Sequence, residues 1–256
     1  MRIARLLAVC WWFQLKQMTK AGLFVFTSII EPLIFATLAY YLFKAGHRPG
    51  TLLYAALSAG LMGIWTSTLF GSGGAINFQR WQGVLEPLVA SPPPYALILF
   101  PQTLAAASIG LYSLASTLLW GRVIFGIPLH FAHPVAFAIS IVVTIVSLGV
   151  LGLVMGASFI LYREANALSN MLEFPVWIVT GVIVPLSLLP GWIHPLSWIL
   201  APTWGYRAIH NAALGGNPWP GIGIALGLAA VYFFIGQAVV GAFERRARER
   251  ATLSLV

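Results

Sequence analysis

Residues able to carry acid–base, nucleophilic or metal chemistry are scarce in this chain of 256 residues. Aspartate is absent, and the six acids are Glu31, Glu86, Glu164, Glu173, Glu244 and Glu249. The five histidines are His47, His130, His133, His194 and His210. A hydrolytic zinc site on a helix needs two histidines one turn apart with a glutamate as base, and no His-Glu-x-x-His run occurs. His130 and His133 are three apart, but no carboxylate stands near them, so they read as interfacial polar residues rather than a metal pair. Cys10 is the only cysteine, which excludes an intrachain disulfide and a cysteine metal cluster. Gly71, Gly73 and Gly74 lack the following Lys-Ser or Lys-Thr of a phosphate loop. No Walker-type aspartate exists to hold magnesium. This chain is therefore expected to bind no metal or cofactor, and any ATP and magnesium belong to a partner.

Glu31, beside Pro32, is the acid that falls deepest in an apolar run. A charge at such depth is costly and is retained for function or for a partner. Two readings stand side by side: a titrating group in ion-coupled transport, or a carboxylate freed by the Pro32 break to reach water or a neighbouring Lys or Arg.

The elements that must hold these residues are apolar helices. The chain is 59% hydrophobic and 8% charged, with a mean hydropathy of +0.89, where a soluble domain has about 25% charged residues. Lipid is the solvent for most of it. Apolar runs predict six spanning helices over 22–43, 51–75, 95–120, 135–162, 171–189 and 221–243, each long enough for a hydrocarbon core of roughly 30 Å. The fold class is thus an all-α polytopic membrane protein, a single transmembrane domain over 1–256. Residues 1–20 place Arg2, Arg5, Lys16 and Lys20 on one helical face and Ala4, Leu7, Trp11, Leu15 and Met18 opposite, the pattern of an amphipathic interfacial helix. Residues 77–94 form a polar loop with a short helix. Residues 190–220, with Trp192, Trp198, Trp204 and Trp219 among prolines and glycines, suit an external interfacial or re-entrant segment.

Basic residues set the orientation. The side with both termini holds Arg2, Arg5, Lys16, Lys20, Arg80, Arg163, Arg245, Arg246, Arg248 and Arg250; the other holds Lys44, Arg48, Arg122 and Arg207. Both termini, the 77–94 loop and the 244–256 tail are expected in the cytoplasm, in a multi-pass protein of the cell membrane. The net charge of +8 is spread over loops rather than one surface, so it implies topology and not nucleic acid.

The stretch Asn77-Phe78-Gln79-Arg80-Trp81-Gln82-Gly83-Val84-Leu85-Glu86-Pro87-Leu88-Val89-Ala90-Ser91-Pro92 resembles the loop after the second span of type-2 ABC-exporter permeases. A second match follows: Arg163, Asn166-Ala167, Pro175, Thr180-Gly181, Pro185, Leu189-Pro190, Pro202 and Tyr206. The resemblance implies a permease that pairs with itself or a second permease, binds separate ABC ATPase subunits at its cytoplasmic face, and exports lipids, polysaccharides, drugs or peptides. It makes the 77–94 loop the coupling helix. Phe78, Trp81, Leu85 and Leu88 recur at helical spacing as an apolar ridge, with Arg80 and Glu86 for charged contacts and Glu86 foremost among them. Two departures stand out: Trp81 and Gln82 replace charged residues, and Pro87 should shorten the coupling helix to about 78–86. Pro185, Leu189 and Pro190 would break the fifth span and form an outer gate. Tyr54, Trp65 and Phe70 are either path-lining residues or membrane anchors. Without a large external domain, a hydrophobic or amphipathic cargo such as a drug or lipid-like molecule suits better than a long glycan. The alternative is an ATP-independent carrier or channel using Glu31. A membrane-embedded enzyme ranks last, for want of clustered catalytic groups.

Overall fold

The structure is a computed structural model that describes residues 2–20, 30–38, 40–41, 52–161, 165–183 and 186–250. Regular structure among the described residues is helical throughout. In chain order the elements are α1 (Arg2–Lys20), α2 (30–38), α3 (Leu52–Trp81), α4 (Leu85–Ala90), α5 (Tyr95–Phe125), α6 (Pro134–Leu161), α7 (Ala165–Val179), α8 (His194–Ile199), α9 (Ala201–Leu214) and α10 (Trp219–Arg250). Short 3-10 turns at Leu186–Leu188 and Gly191–Ile193 join α7 to α8.

Among the described residues four helices, α3, α5, α6 and α10, are long and apolar enough to cross a membrane. The six expected spans are thus met in four places. Of the first, only 30–38 and 40–41 are described, and they are helical. The fifth is shifted and short. Expected over 171–189, it is a 15-residue helix, Ala165–Val179, about 22 Å long. Its end has a local cause, since Gly181 at φ 79° takes the left-handed conformation that stops a helix.

Neighbouring helices reverse direction in order. Gly63 of α3 lies on Ser113 of α5 and Gly71 on Ala106, while Gln79 bonds Gln102, so the two run antiparallel. The seam is narrow because it is lined with small residues: a Cβ on Gly110 would come within 2.5 Å of the Ile64 Cα. Gly149 and Gly156 of α6 lie against Leu104 and Leu99 of α5, again antiparallel. α7 runs against α3, through Thr66 with Glu173 and Tyr54 with Gly181. α10 runs with α6, Ile222 clustering with Val143 and Gly236 meeting Leu153. Trp65, Leu57, Leu61, Leu69, Leu99, Leu148, Leu153 and Phe159 fill the centre and are fully buried.

The N-terminal helix differs from a free interfacial helix. Its expected apolar face is used on protein: Trp11 Nε1 donates to Ser108 Oγ at 3.3 Å, about 20 Å along α5 from its first residue. Met18 reaches the edge of Gly71.

The 190–220 segment is helical. α9 lies between α3 and α6, antiparallel to both: Tyr206 donates to the Leu61 carbonyl and His210 faces Ser58, while Gly205 meets Thr144 and Ala213 accepts from Ala132 N–H. Tyr206 therefore sits about 14 Å along α3 from Leu52.

Candidate functional site

The helix α3 runs on through Asn77, Phe78, Gln79 and Arg80 to Trp81, six residues past the expected end of the second span. It closes on Gly83 at φ 68°. Gly83 N–H donates to Arg80 O and Val84 N–H to Gln79 O, both at 3.0 Å. These are the two bonds of a Schellman cap, which requires the left-handed residue that glycine supplies most cheaply. The chain then turns into α4, whose C-terminus is held by Ser91 Oγ donating to Leu88 O at 2.6 Å.

The expected boundaries of the coupling helix change accordingly. The segment 78–86 is not one helix: Phe78, Arg80 and Trp81 end α3, while Leu85, Glu86 and Leu88 lie in α4. Pro87 does not terminate a helix but stands third in α4, where its missing N–H would have had no intrahelical acceptor. Nor do the four apolar residues make a single ridge. Trp81 is 83% and Phe78 36% exposed, whereas Leu85 is buried and Leu88 half-buried. The turn at Gly83 resets the helical phase, so the corner presents Phe78, Trp81, Val84, Glu86 and Pro87 outward and pins Leu85 and Val89 inward. The Phe78 and Trp81 rings are 6.3 Å apart. Arg80 is half-buried.

A polar network beneath this corner had no sequence signal. The phenol of Tyr95 donates to Gln79 Oε1 at 2.7 Å, and Gln79 Nε2 donates to Gln102 Oε1 at 2.8 Å. Tyr95 N–H, one of the unpaired donors at the start of α5, donates to Glu244 Oε2 at 3.0 Å. The ends of α3, α5 and α10 are thus joined directly under α4, which packs on both α3 and α10. Polar residues spaced 16 to 149 apart in sequence carry no pattern that a linear reading detects.

At the opposite end, Leu189 is half-buried and Pro190 exposed. Pro185, the third residue expected at the gate, lies outside the described residues, as do residues 42–51. Leu189 N–H donates to Leu186 O at 3.1 Å, and Tyr54 donates to Gly181 O at 3.3 Å. Tyr54 also stacks on His210, with ring centroids 4.1 Å apart. Trp65 is buried inside the bundle with an unpaired Nε1, and Phe70 is half-buried.

Glu31 is half-buried on α2. The structure gives it an acidic neighbour: Glu173 of α7 lies close enough for its charge to act on Glu31, and Thr66 Oγ1 donates to Glu173 Oε1 at 2.8 Å. One turn further along, Phe35 of α2 meets Trp177 of α7 edge-on at 5.5 Å. Residue 31 with 173 and 35 with 177 set α2 and α7 side by side and parallel.

Among the described residues no group of three or more His, Cys, Asp or Glu could hold a metal ion. The arrangement has a presented corner at one end, a half-length helix at the other, and long packed helices between. No curated protein matches the chain. The family model for the ABC-2 type transporter matches residues 5–214, most of the chain and both helical ends described above, so the chain belongs to the ABC-2 type transporter family of multi-pass membrane permease subunits.

Proposed function

We propose that this chain is the transmembrane subunit of an ATP-driven exporter and that the corner between α3 and α4 receives the thrust of a partner ABC ATPase. ABC-2 permeases normally work with such ATPases. The observation that carries the reading is the contrast at the corner: Phe78, Trp81, Val84 and Glu86 face outward while Leu85 and Val89 are locked into the bundle. An aromatic and acidic knob of this kind fits a groove on another protein. Its inner side meets three long helices through the Tyr95, Gln79, Gln102 and Glu244 bonds, so a push at α4 displaces α3, α5 and α10 together. ATP and Mg²⁺ act on the partner, and this chain converts the motion.

Six spans remain the topology we favour. The reading is supported by helix direction: α2, α5 and α7 run one way and α3, α6 and α10 the other, as strict alternation of six crossings requires. It places both termini and the α3–α4 corner in the cytoplasm, where Arg80 and Arg245 lie. α9, half-length and antiparallel to α3 and α6, is read as the external re-entrant segment, with Leu189 and Pro190 at an outer gate above a path between two copies or between this chain and a second permease. The cargo is hydrophobic or amphipathic, a drug or lipid-like molecule or a glycoconjugate.

The test is direct. Trp81→Ala and Glu86→Ala should each lower copurification with the partner ATPase and its transport-coupled hydrolysis by about tenfold, the loss expected for truncating an interface anchor. Unchanged assembly and hydrolysis in both variants would sink the assignment. The second reading, a carrier or channel using Glu31, rests on the Glu31–Glu173 juxtaposition and predicts proton-driven flux in vesicles containing this chain alone.

A further inference from the structure

Two carboxylates stand at mid-height of the bundle, and among the described residues no cation answers them. Glu173 is fixed by Thr66 Oγ1 at 2.8 Å, and Thr66 lies halfway along the 30-residue α3. Glu31 lies on the neighbouring α2, within reach of the charge of Glu173 and one turn before the Phe35–Trp177 contact. Among the described residues neither acid is paired with Lys or Arg. Carboxylates at that height repel one another and are poorly solvated, so they call for a positive group.

The seam they share has a definite lining. Trp177 and Phe35 follow Glu173 and Glu31 by one helical turn on the same faces, and Phe174 packs edge-on to Trp177 at 5.0 Å. Trp177 is 4% exposed, and its Nε1 is buried with no hydrogen-bond partner. A buried indole N–H without an acceptor is uncommon and marks a place for one. The outer edge of the seam is open: Ile34 and Phe174 are 56% and 60% exposed, and both glutamates are half-buried rather than sealed. A molecule dissolved in the bilayer can reach it from the side.

We infer that the α2–α7 seam is a binding site for a cationic amphipath, its protonated or quaternary nitrogen held between Glu31 and Glu173, its apolar body against Phe35 and Phe174, and a hydrogen-bond acceptor of the ligand taken by the Trp177 indole. This rests on the proposed export function and narrows its cargo to lipophilic cations. The aromatic edges and faces of the seam suit such a cation, since ring quadrupoles attract positive charge. The two acids supply the specificity: a neutral lipid of the same size leaves both uncompensated.

The experiment uses the purified full chain in nanodiscs of zwitterionic lipid. Binding of rhodamine 6G, a lipophilic cation with an ester carbonyl, is followed by quenching of tryptophan fluorescence, with Nile red as the uncharged probe of similar size. Glu31→Gln and Glu173→Gln should each weaken rhodamine 6G about tenfold and leave Nile red unchanged; Trp177→Phe, which keeps a ring but removes the N–H, should weaken rhodamine 6G a few-fold. Equal rhodamine 6G affinity in the native chain and the double glutamine variant overturns the site, as does equal loss of both probes. The native melting temperature of each variant is measured alongside, and Glu173→Gln retains the Thr66 acceptor so that packing is preserved. Since no ATPase is present, failure here leaves the coupling corner standing, and failure of the Trp81 and Glu86 test leaves this site standing.

Discussion

Tyr95 donates its phenol proton to Gln79 at 2.7 Å, tying the first residue of α5 to the last full turn of α3. Both groups are buried, at the point where the chain passes from the exposed corner into the bundle. On the proposed reading, motion at α4 would enter α3 and α5 as one body rather than through a flexible joint.

Tyr95→Phe removes the donor and keeps the ring. It should cost about 1–2 kcal/mol of stability, the range for losing one buried hydrogen bond. It should also reduce the efficiency with which ATP hydrolysis drives transport, measured as transported molecules per ATP. Glu244→Gln keeps an acceptor for Tyr95 N–H and should be milder. An intact coupling ratio in Tyr95→Phe would show that the network only holds the helices in place.

The Schellman cap at Gly83 gives a sharper variant. At φ 68° an alanine pays about 1–2 kcal/mol for the left-handed conformation, and open space surrounds the position, so sterics add nothing. Gly83→Ala should leave membrane insertion normal and lower ATPase coupling, because α4 leaves α3 at a different angle. Gly83→Asn, better suited to that conformation, should recover most of the loss.

Packing between α3 and α5 depends on Gly110, whose Cβ would sit 2.5 Å from the Ile64 Cα. Gly110→Val should destabilise by about 1–3 kcal/mol through overpacking, read as a lower melting temperature in detergent. Gly74 has nothing within 4 Å. Gly74→Ala should be neutral or stabilise by up to about 1 kcal/mol, since alanine is the better helix former. Equal behaviour of the two variants would contradict the close seam.

Cys10 reports on the docking of α1. Burial pushes its thiol above the ordinary range, and the thiolate is the reactive form. Alkylation by a charged maleimide should therefore be slow at pH 7.5 and quicken as pH rises past the usual thiol range. Trp11→Ala, which removes the bond to Ser108, should raise the rate several-fold at pH 7.5. A native rate equal to that of a free thiol would mean that α1 is not docked.

The corner at Phe78–Ala90 and the seam at Glu31 show how far a linear reading reaches. Runs of apolar residues are a local property, so α3, α5, α6 and α10 were legible with ends within a few residues, apart from extensions such as the six residues of α3 past Ala75. The residue types of the corner were legible as well. Their phase was not, because a single positive φ at Gly83 separates two helices that spacing alone merges into one ridge.

From its sequence this chain was determined to be a helical membrane protein with a contiguous aromatic and acidic motif, because lipid solvation acts on each apolar run separately and the motif lies in one short stretch. Only the tertiary structure decided what meets what: Trp11 with Ser108, Tyr95 with Gln79 and Glu244, and above all Glu31 with Glu173. These pairs join residues 16 to 149 positions apart, and the contacts depend on helix direction, depth and rotation, which the packing of small residues along shared seams sets and no local pattern encodes.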